Sequence, residues 1–493
     1  MLLSFLMQGM EKTEYCNTAS EREVTHITSD SRQAGSKSVF VCIKGFTTDG
    51  HSFAGRAYDR GCRAFVAQRE LDLPPDAEVF ITHDDMRRVL AELSCKLYGE
   101  PSKHLRVIGI TGTKGKTTTA LIIKQLLDAA GIPTGYIGSN GIIWNNQAHQ
   151  TGNTTPESCV LQYYLKHMVQ DGMQAAVIEV SSQALYLDRV HGTNFEVEIF
   201  TNLSLDHVGG NEHPTFRDYF EAKKKLFDAF PASLVIANAD DEYTYEMLAD
   251  CKTKKTYYST LGKGDLNAQG IELCRTESIL GMSFCASLGE KKYSFSIPIP
   301  GEFNVHNALS AIAVARHFGI EDEKIAAALS SIRIDGRFET VILNNGACFV
   351  IDYAHNGLSL TSALLALRKY DPQRLICLFG SVGGRTQIRR EQLGKAAAQY
   401  ADFSILTADN PDSEDPMEII ADIAKHYPDP DAYVAIPDRR EAIEYAFEIA
   451  EPGDIVLLAG KGHERYQTVN GKNLHFSERE IIEDCINKVN FVS

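Results

Sequence analysis

Short apolar runs recur along the chain, and most of them end in Gly, Asp, Asn or Thr. In the middle of the sequence such runs begin at Val107, Ala175, Val197 and Leu234, with helix-like spacing between them. Continuous apolar runs that alternate with helices are typical of parallel strands buried on both faces. The pattern therefore predicts an α/β chain with a central parallel sheet.

The last third of the chain repeats this scheme. Apolar runs begin at Cys348, Leu375, Phe403 and Asp454, and each breaks into Gly, Asp or Asn. In an open parallel sheet, ligands bind beyond the carboxyl ends of the strands. We therefore predict a second, Rossmann-like sheet with ligand contacts at these breaks.

The first hundred residues show shorter β-like runs between Thr28 and Gln68, which alternate with Gly/Asp turns and an Ala-rich helix candidate. This mixture favours a small α/β domain that ends near Pro101. At about 150 residues per domain, a chain of 493 residues has room for roughly three domains. The predicted domains are 1–101, 102–334 with a P-loop ATPase-like sheet, and 335–493 with a Rossmann-like sheet.

The composition narrows the class of partner. Lys plus Arg total 49 against 65 Asp plus Glu, so the formal charge is -16. This sign argues against general binding of nucleic acid or anionic membranes. The 11 cysteines form no CxxC pair, and the apolar start lacks a basic segment and a cleavage site, which favours a cytoplasmic protein with reduced thiols.

A glycine-rich stretch, GITGTKGKTTT, follows the first central run. Ile110 stands where the strict phosphate-loop pattern G-x-x-x-x-G-K-[ST] requires its first Gly. Gly112 and Gly115 still permit a tight turn with N–H groups facing phosphate, Lys116 supplies a cation, and Thr117 can reach Mg²⁺. The stretch predicts a nucleotide phosphate site, and the alternative is an ordinary Gly-rich turn.

Two more polar side chains follow central strands. Glu179 lies near the end of the run AAVIEV, and His207 follows the next run in LDH. A carboxylate and an imidazole beside a phosphate loop are suited to hold Mg²⁺. The alternatives are a paired structural carboxylate and a capped loop histidine.

The segment TTPE has the composition of a helix start. Thr155 is the predicted N-cap and Pro156 the first helical residue. This structural interpretation is sufficient by itself, so the residues alone do not require a substrate role for these hydroxyl groups.

Lys223 lies on the apolar face of a predicted helix. The other residues of that face are Phe216, Tyr219, Phe220, Leu226, Phe227 and Phe230. A lysine at this position either extends along the face towards water, is converted to a carbamate, or faces a phosphate-filled cleft.

Ten motifs follow one another in order: TGTKGKTTT, NTTPES, IEVSSQAL, LDHVGGNEH, YFEAKKKLF, PGEFNVHNAL, DGRFE, DYAHNG, DNPDSEDP and AGKGHERYQ. Together they resemble the Mur ligase family, specifically its UDP-N-acetylmuramoyl-tripeptide synthetases, which add the third residue of the peptidoglycan stem peptide. The early TSDSR and TTDGHSF stretches resemble the UDP-binding first domain of that branch, so the resemblance covers nearly the whole chain.

The resemblance implies an ADP-forming ligase that is monomeric and cytoplasmic. ATP, with Mg²⁺, would phosphorylate the terminal carboxylate of UDP-N-acetylmuramoyl-L-alanyl-D-glutamate, and the amine of an amino acid would then attack the acyl phosphate. Because water competes for an acyl phosphate, the site must exclude solvent, and three hinged domains suit that requirement.

The matching motifs also imply roles for individual residues. ATP binding is expected from Gly112, Thr113, Lys114, Gly115, Lys116, Thr117, Thr118, Asn304, Asn307, Arg337, Asp352 and His355. Metal binding is expected from Thr117, Glu179 and His207, and catalysis from Lys116, Glu179, His207 and Lys223, the last as N6-carboxylysine. The UDP-muramoyl-peptide would contact Ser31, Thr154, Thr155, Ser181, Gln183 and Arg189. The amino acid would contact Arg385, Asp409, Asn410, Asp412, Gly460 and Glu464.

The identity of the amino acid depends on Asp412. Members that use meso-diaminopimelate resemble DNPR at this stretch, where the Arg binds the distal carboxylate, whereas this chain has DNPD. A carboxylate repels a second carboxylate and attracts an ammonium group. The substitution therefore favours L-lysine, as does DYAHNG, while Arg385 and Glu464 match diaminopimelate-type contacts. meso-Diaminopimelate, L-ornithine or a different peptide acceptor remain the alternatives.

Two other functions are compatible with parts of this pattern. A ligase similar to folylpolyglutamate synthase would share the central and last domains but lacks the TSDSR-type first domain. A nucleotide-gated regulator would have lost catalysis, but Lys116, Glu179, His207 and Lys223 are all present.

Overall fold

The computed structural model describes residues 1–8, 21–205, 209, 212–276, 279–288, 291–384 and 387–492. Two compact units make up the chain. The first comprises Met1–Leu266 with Ser310–Ile320, and the second comprises Asn267–Leu309 with Glu321–Ser493.

The first unit opens with a four-stranded parallel sheet in the order β1-β2-β3-β4. Its strands are β1 (His26–Thr28), β2 (Ser38–Val41), β3 (Ala64–Ala67) and β4 (Glu78–Ile81). The accompanying helices are α1 (Leu3–Leu6), α2 (Ala54–Asp59) and α3 (Met86–Tyr98), with short 3₁₀ turns at Gly50–Phe53 and Pro101–Lys103.

Eight strands of a larger, 11-stranded sheet lie in the first unit, in the order β12-β11-β10-β5-β9-β6-β7-β8, and β13, β14 and β15 continue it beyond β12. The strands from β12 to β6 are parallel, and β6, β7 and β8 are antiparallel. The strands are β5 (Arg106–Thr111), β6 (Thr134–Gly138), β7 (Gly141–Trp144), β8 (Gln147–His149), β9 (Ala175–Glu179), β10 (Val197–Phe200), β11 (Leu234–Asn238) and β12 (Lys255–Ser259). Every residue of β9, β10 and β11 is buried, as expected for a sheet covered on both faces.

Helices connect these strands. They are α4 (Lys116–Ala129), α5 (Ser158–Gln170), α6 (Ser182–Tyr186), α7 (Phe216–Ala229) and α8 (Thr244–Met247). Helix α7 begins with a capping box in which Thr215 and Asp218 exchange side-chain-to-backbone hydrogen bonds, satisfying two otherwise unpaired N–H groups. Its apolar face packs into the core of the large sheet through Tyr219, Phe220 and Phe227.

The second unit contains a six-stranded sheet in the order β16-β17-β21-β18-β19-β20. Only β16 is antiparallel to its neighbour. The strands of this unit are β13 (Leu266–Arg275), β14 (Leu280–Leu288), β15 (Lys291–Ile297), β16 (Glu339–Ile342), β17 (Cys348–Asp352), β18 (Leu375–Phe379), β19 (Phe403–Leu406), β20 (Tyr433–Ala435), β21 (Ile455–Ala459), β22 (Tyr466–Val469) and β23 (Lys472–His475). Strands β14 and β15 pair as one antiparallel hairpin and β22 and β23 as another.

The remaining helices follow in the second half of the chain, and α9 is divided between the two units. They are α9 (Phe303–His317), α10 (Asp322–Leu329), α11 (Gly357–Arg368), α12 (Gln387–Tyr400), α13 (Pro416–Ala424), α14 (Arg439–Ile449) and α15 (Glu478–Val492), with a 3₁₀ turn at Pro430–Ala432. No helix in the described part of the chain is both long and apolar enough to cross a bilayer.

The predicted fold class is confirmed: the chain is an α/β protein with a small first sheet, a central parallel sheet and a Rossmann-like last sheet. All eight apolar runs cited for the two large sheets form strands. The boundaries near residues 101 and 334 stay predictions.

Candidate functional site

The phosphate loop lies between β5 and α4, at the carboxyl end of a central strand. Gly112 has a φ of +148°, and a Cβ atom there would lie 2.0 Å from the Thr201 hydroxyl oxygen. A side chain at this position would therefore displace the loop or the neighbouring strand end. Gly115 is the N-cap of α4 and also has a positive φ, of +85°, which a non-glycine residue adopts only with strain.

Residues at the end of β10 hold the loop in place. The Lys114 N–H donates to Asn202 Oδ1 at 2.9 Å, and Asn202 Nδ2 donates back to the Lys114 carbonyl at 3.0 Å. The Thr201 hydroxyl donates to the same carbonyl at 2.8 Å. These bonds fix the loop backbone before any ligand arrives, which lowers the cost of ordering it upon binding.

Two lysines converge on this loop. Lys116 Nζ donates to the carbonyl of Gly112 at 2.8 Å and to that of Thr113 at 3.0 Å. Lys223 Nζ donates to the Gly112 carbonyl at 2.8 Å and lies 4.5 Å from the Tyr219 ring centroid. Lys223 is 1% exposed, so of the three alternatives the extension towards water is wrong. Its amine faces the phosphate loop, which leaves the carbamate and the phosphate-facing lysine as the two alternatives.

Glu179, at the end of β9, is fully buried beside the loop. Its Oε2 accepts from the Thr117 hydroxyl at 2.9 Å, and its Oε1 accepts from the Tyr136 hydroxyl at 2.5 Å and from the Ser139 N–H at 3.0 Å. Oxygen ligands of this type, few in number and next to a phosphate site, fit Mg²⁺. Thr117 and Glu179 are thus brought together as predicted for metal ligands.

The TTPE segment hydrogen-bonds to the carboxyl end of β9, where Glu179 lies. Helix α5 begins at Ser158 with Glu157 as N-cap, so the predictions that Thr155 is the N-cap and Pro156 the first helical residue are wrong. The Thr155 hydroxyl instead donates to the Glu179 carbonyl at 2.7 Å and accepts from the Ser181 N–H at 3.0 Å. This tertiary hydrogen bonding outweighs the local preference for a cap, and it places the segment beside the predicted metal ligand.

The other residues predicted to hold the UDP-muramoyl-peptide lie partly in this cluster. The hydroxyl groups of Thr154 and Ser139 are 3.1 Å apart, and the Arg189 guanidinium donates to the Thr155 carbonyl at 3.1 Å. Gln183 is half-buried in α6, and Ser31 is half-buried in the turn that follows β1.

The second unit carries the other residues predicted for ATP. Asn304 and Asn307 lie on the first turns of α9 and are joined by a 2.9 Å hydrogen bond. Asp352, at the end of β17, accepts from the Phe338 N–H at 3.0 Å, and burial raises the pKa of this carboxyl to about 6, against the opposing charge of Arg337. Burial likewise lowers the pKa of His355, whose ring contacts the carbonyl of Tyr353.

The residues predicted for the amino acid meet at the carboxyl ends of β19 and β21. Asn410 Nδ2 donates to Glu464 Oε2 at 2.9 Å. Gly460 has a φ of +114°, and a Cβ atom there would lie 2.8 Å from Asp409 Oδ2. The absence of a side chain at Gly460 therefore lets the two loops approach each other.

Asp412 is exposed and lies beside the β22–β23 hairpin. Its Oδ1 accepts from the Gly471 N–H at 2.7 Å, and its backbone N–H and carbonyl bond to Thr468 and Asn470. One carboxylate oxygen thus caps the turn of the hairpin. That Asp412 reads the substrate side chain stays a prediction.

Two predicted site residues lie outside the described residues. They are His207, predicted as a metal ligand and catalytic residue, and Arg385, predicted for the amino acid.

The sequence analysis did not identify several residues that hydrogen-bond to the predicted site residues and hold them in place. Tyr136 and Ser139 bind Glu179, and Lys461 binds the amino-acid cluster. Lys461 stands inside the quoted motif AGKGHERYQ, so a polar residue at a strand end was the available signal. Tyr136 has no such signal, because a buried tyrosine within a strand is also an ordinary core residue.

Comparison with known families matches three parts of the chain. The Mur ligase family catalytic domain matches residues 23–98, the Mur ligase middle domain matches 110–315, and the Mur ligase glutamate ligase domain matches 336–462.

Individual relatives match over nearly the full length. The chain is 39% identical over 495 residues to the UDP-N-acetylmuramoyl-L-alanyl-D-glutamate–2,6-diaminopimelate ligase of Clostridium perfringens, covering 99% of both chains. It is 38% identical to the enzyme of the same name from Clostridium botulinum, covering 95% of this chain and 96% of that one. A solved structure of a ligase with this name has a TM-score of 0.72 at 28% identity and covers 99% of this chain and 100% of that one.

Proposed function

The chain belongs to the Mur ligase family, and from this premise we propose that it joins a diamino acid to UDP-N-acetylmuramoyl-L-alanyl-D-glutamate. The enzyme is an ADP-forming ligase of the tripeptide-synthetase type. In the proposed reaction ATP transfers its terminal phosphoryl group to a carboxylate of the dipeptide. The amine then attacks the acyl carbon and expels inorganic phosphate, and the product is an amide.

One observation carries this proposal. Lys116 and Lys223 direct their side-chain nitrogens to the same carbonyl of the phosphate loop, and the Glu179–Thr117 pair lies beside them. The positive charge of Lys116, held at a fixed place in the loop, would stabilise the negative charge that develops on a transferred phosphoryl group.

The residues around the loop have separate roles in the proposal. The loop N–H groups and Lys116 bind the nucleotide phosphates. Thr117 and Glu179 would hold Mg²⁺, which neutralises phosphate charge when bound. The segment at Thr154 and Thr155 would bring the dipeptide carboxylate to the same strand edge. Asp352 and His355 keep their proposed role in nucleotide binding.

For the amine, we propose meso-diaminopimelate first. Several relatives that match along nearly their whole length carry this substrate in their names. The argument for L-lysine rested on the charge of Asp412 and on the motif DYAHNG, and one oxygen of the Asp412 carboxylate accepts a hydrogen bond from the hairpin turn. L-Lysine remains the second candidate, because Asp412 still stands where diaminopimelate-type members have an Arg.

The test is phosphate release by the purified enzyme with ATP, Mg²⁺ and the UDP-linked dipeptide, with one amine offered at a time. We expect release to depend on the dipeptide and to be fastest with meso-diaminopimelate. Turnover with L-lysine or L-ornithine alone would keep the ligase and overturn the proposed amine. Phosphate release that does not depend on the dipeptide would contradict the ligase function and favour the nucleotide-gated regulator.

A further inference from the structure

Lys461 is a buried lysine in the loop that follows β21. Its side chain is 0% exposed. Nζ donates to Asn410 Oδ1 at 2.9 Å and to Glu464 Oε2 at 3.1 Å, and it lies 3.7 Å from Asp409 Oδ1. An ammonium group taken out of water is stable only when charges and hydrogen bonds compensate it. Here every compensating group belongs to the predicted amino-acid site.

Glu464 is held on one side only. Its Oε2 accepts from both Lys461 and Asn410, whereas within the described residues its Oε1 has a single long contact, 3.4 Å from the Tyr353 hydroxyl. The Glu464 side chain is 14% exposed, so the carboxylate is not sealed in the interior. This arrangement fixes the direction of the carboxylate and leaves Oε1 able to accept a stronger donor.

We propose that Lys461 is a positioning residue for the incoming amino acid. It anchors Glu464 through Oε2 and thereby aims Oε1 at the α-ammonium group of the substrate. Its ammonium group also compensates the negative charges of Asp409 and Glu464. The carboxylate of the incoming amino acid is therefore repelled less by these two side chains. This inference rests on the proposed function and adds to it a residue for which no role was predicted.

The surrounding frame is rigid enough for a positioning role. Arg439, fully buried, donates to the Ala408 carbonyl at 3.1 Å and to the Ala459 carbonyl at 2.8 Å. These carbonyls directly precede Asp409 and Gly460. The Arg439 guanidinium is itself paired with buried Glu478 at 2.8 Å. The two strand ends are therefore tied together, and the loss of Lys461 cannot be absorbed easily by a backbone shift.

Aromatic rings limit the access of water to the ammonium group. The Tyr466 ring centroid lies 5.6 Å and the Phe476 centroid 5.9 Å from Lys461 Nζ. A desolvated cation interacts more strongly with its carboxylate partner than an exposed one. A variant without the charge would leave Asp409 and Glu464 without this cation, and Glu464 Oε2 would keep only its hydrogen bond from Asn410.

The test compares Lys461→Met with wild type. The substitution keeps an unbranched side chain and removes the charge. We expect the KM for the amino acid to rise about tenfold or more, because this factor corresponds to the loss of one charged hydrogen bond. The KM values for ATP and for the dipeptide should stay within about twofold, since their proposed contacts do not include Lys461. Lys425→Met, at an exposed lysine paired with Asp422, is the matched control and should change nothing.

A second readout separates positioning from general damage. Hydroxylamine can replace the amino acid, because it attacks an acyl phosphate without a dedicated site and expels phosphate to leave a hydroxamate. Lys461→Met should form hydroxamate at the wild-type rate. Lys461→Arg keeps the charge and should hold the KM for the amino acid within about threefold of wild type, which also tests the proposal if the Met variant fails to fold.

The outcomes distinguish the two proposals. An unchanged KM for the amino acid in Lys461→Met, or an equal loss of hydroxamate formation, overturns the role of Lys461 alone. A Lys461→Arg variant that folds but has lost amino-acid affinity as fully as Lys461→Met overturns it as well. Failure of the wild-type enzyme to form any hydroxamate overturns the proposed ligase function.

Discussion

Lys223 is the residue whose chemistry most directly tests the phosphate site. We propose that it acts as a carbamate, as the family resemblance implies, because a carbamate nitrogen retains one N–H for the Gly112 carbonyl that Lys223 contacts. Lys223→Ala should then reduce kcat about a hundredfold or more, and a short-chain carboxylic acid should restore part of the activity. Lys223→Arg keeps a positive charge but forms no such carbamate, so it should be equally inactive. Full phosphate release by the Arg variant would contradict the carbamate.

The raised pKa of Glu198 predicts how the free energy of unfolding changes with pH. The residue lies within β10 and is fully buried, and among the described residues neither carboxylate oxygen has a hydrogen-bond partner. Burial, with a smaller contribution from Asp228, raises the pKa of Glu198 from 4.5 to about 9. The folded chain thus binds this proton more tightly than the unfolded chain does. The stabilisation is complete below the unfolded pKa and is lost as the pH rises towards the folded one.

The pKa shift of Glu198 sets the size of the expected change in stability. Between the two pKa values, wild type should lose about 1.4 kcal/mol of stability per pH unit through Glu198. Glu198→Gln does not titrate, so its melting temperature should fall less steeply than that of wild type between about pH 6 and pH 8.5. Glu242→Gln, at an exposed residue, should track wild type. Parallel curves for wild type and Glu198→Gln would show that Glu198 is already ionised in the folded chain.

At the scale of elements, the turn of the β22–β23 hairpin is the structural partner of Asp412. Its turn residues Asn470 and Gly471 both have positive φ values, 49° and 72°, the conformation of a tight type I′ turn. Asp412 also has a positive φ, of 55°, and caps this turn. One of its carboxylate oxygens therefore serves the turn as a hydrogen-bond acceptor.

Asp412→Asn tests that interpretation. Asparagine keeps the acceptor oxygen and tolerates a positive φ, so we expect the fold and the ranking of amines to be retained, with KM values within about threefold of wild type. Asp412→Ala, which removes the acceptor, is the comparison and should lower the melting temperature. If Asp412→Asn instead abolishes a preference for L-lysine, then the carboxylate reads the side chain directly.

Elements with a strong local signal were predictable from the sequence. The runs at Cys348 and Ala175 became strands because continuous apolar residues at that length fit only a doubly covered sheet. The N-cap predicted at Thr155 failed because its hydroxyl bonds to the next strand end, a contact between residues 24 positions apart. Strands with polar, alternating residues, such as β13 and β23, carried no comparable apolar run.

At the scale of the whole molecule, the ordered motifs predicted the family and the fold class, but the amine depends on features that no motif contains. Asp412 shows why: its charge is visible in the sequence, while the hairpin that engages it is not. The same holds for Lys461, whose burial among Asp409, Asn410 and Glu464 arises only when two distant strand ends meet.

The central claim is that the phosphate loop moves a phosphoryl group onto a carboxylate. The most direct test is to supply the UDP-linked dipeptide with ¹⁸O in its carboxylates, together with ATP, Mg²⁺ and the preferred amine, and to analyse the released phosphate by mass spectrometry. Attack of the carboxylate on ATP, followed by attack of the amine, leaves one carboxylate oxygen on phosphorus, so each released phosphate should carry a single ¹⁸O. Phosphate without the label would mean that water takes the phosphoryl group directly, and the account of an acyl-phosphate ligase would be contradicted.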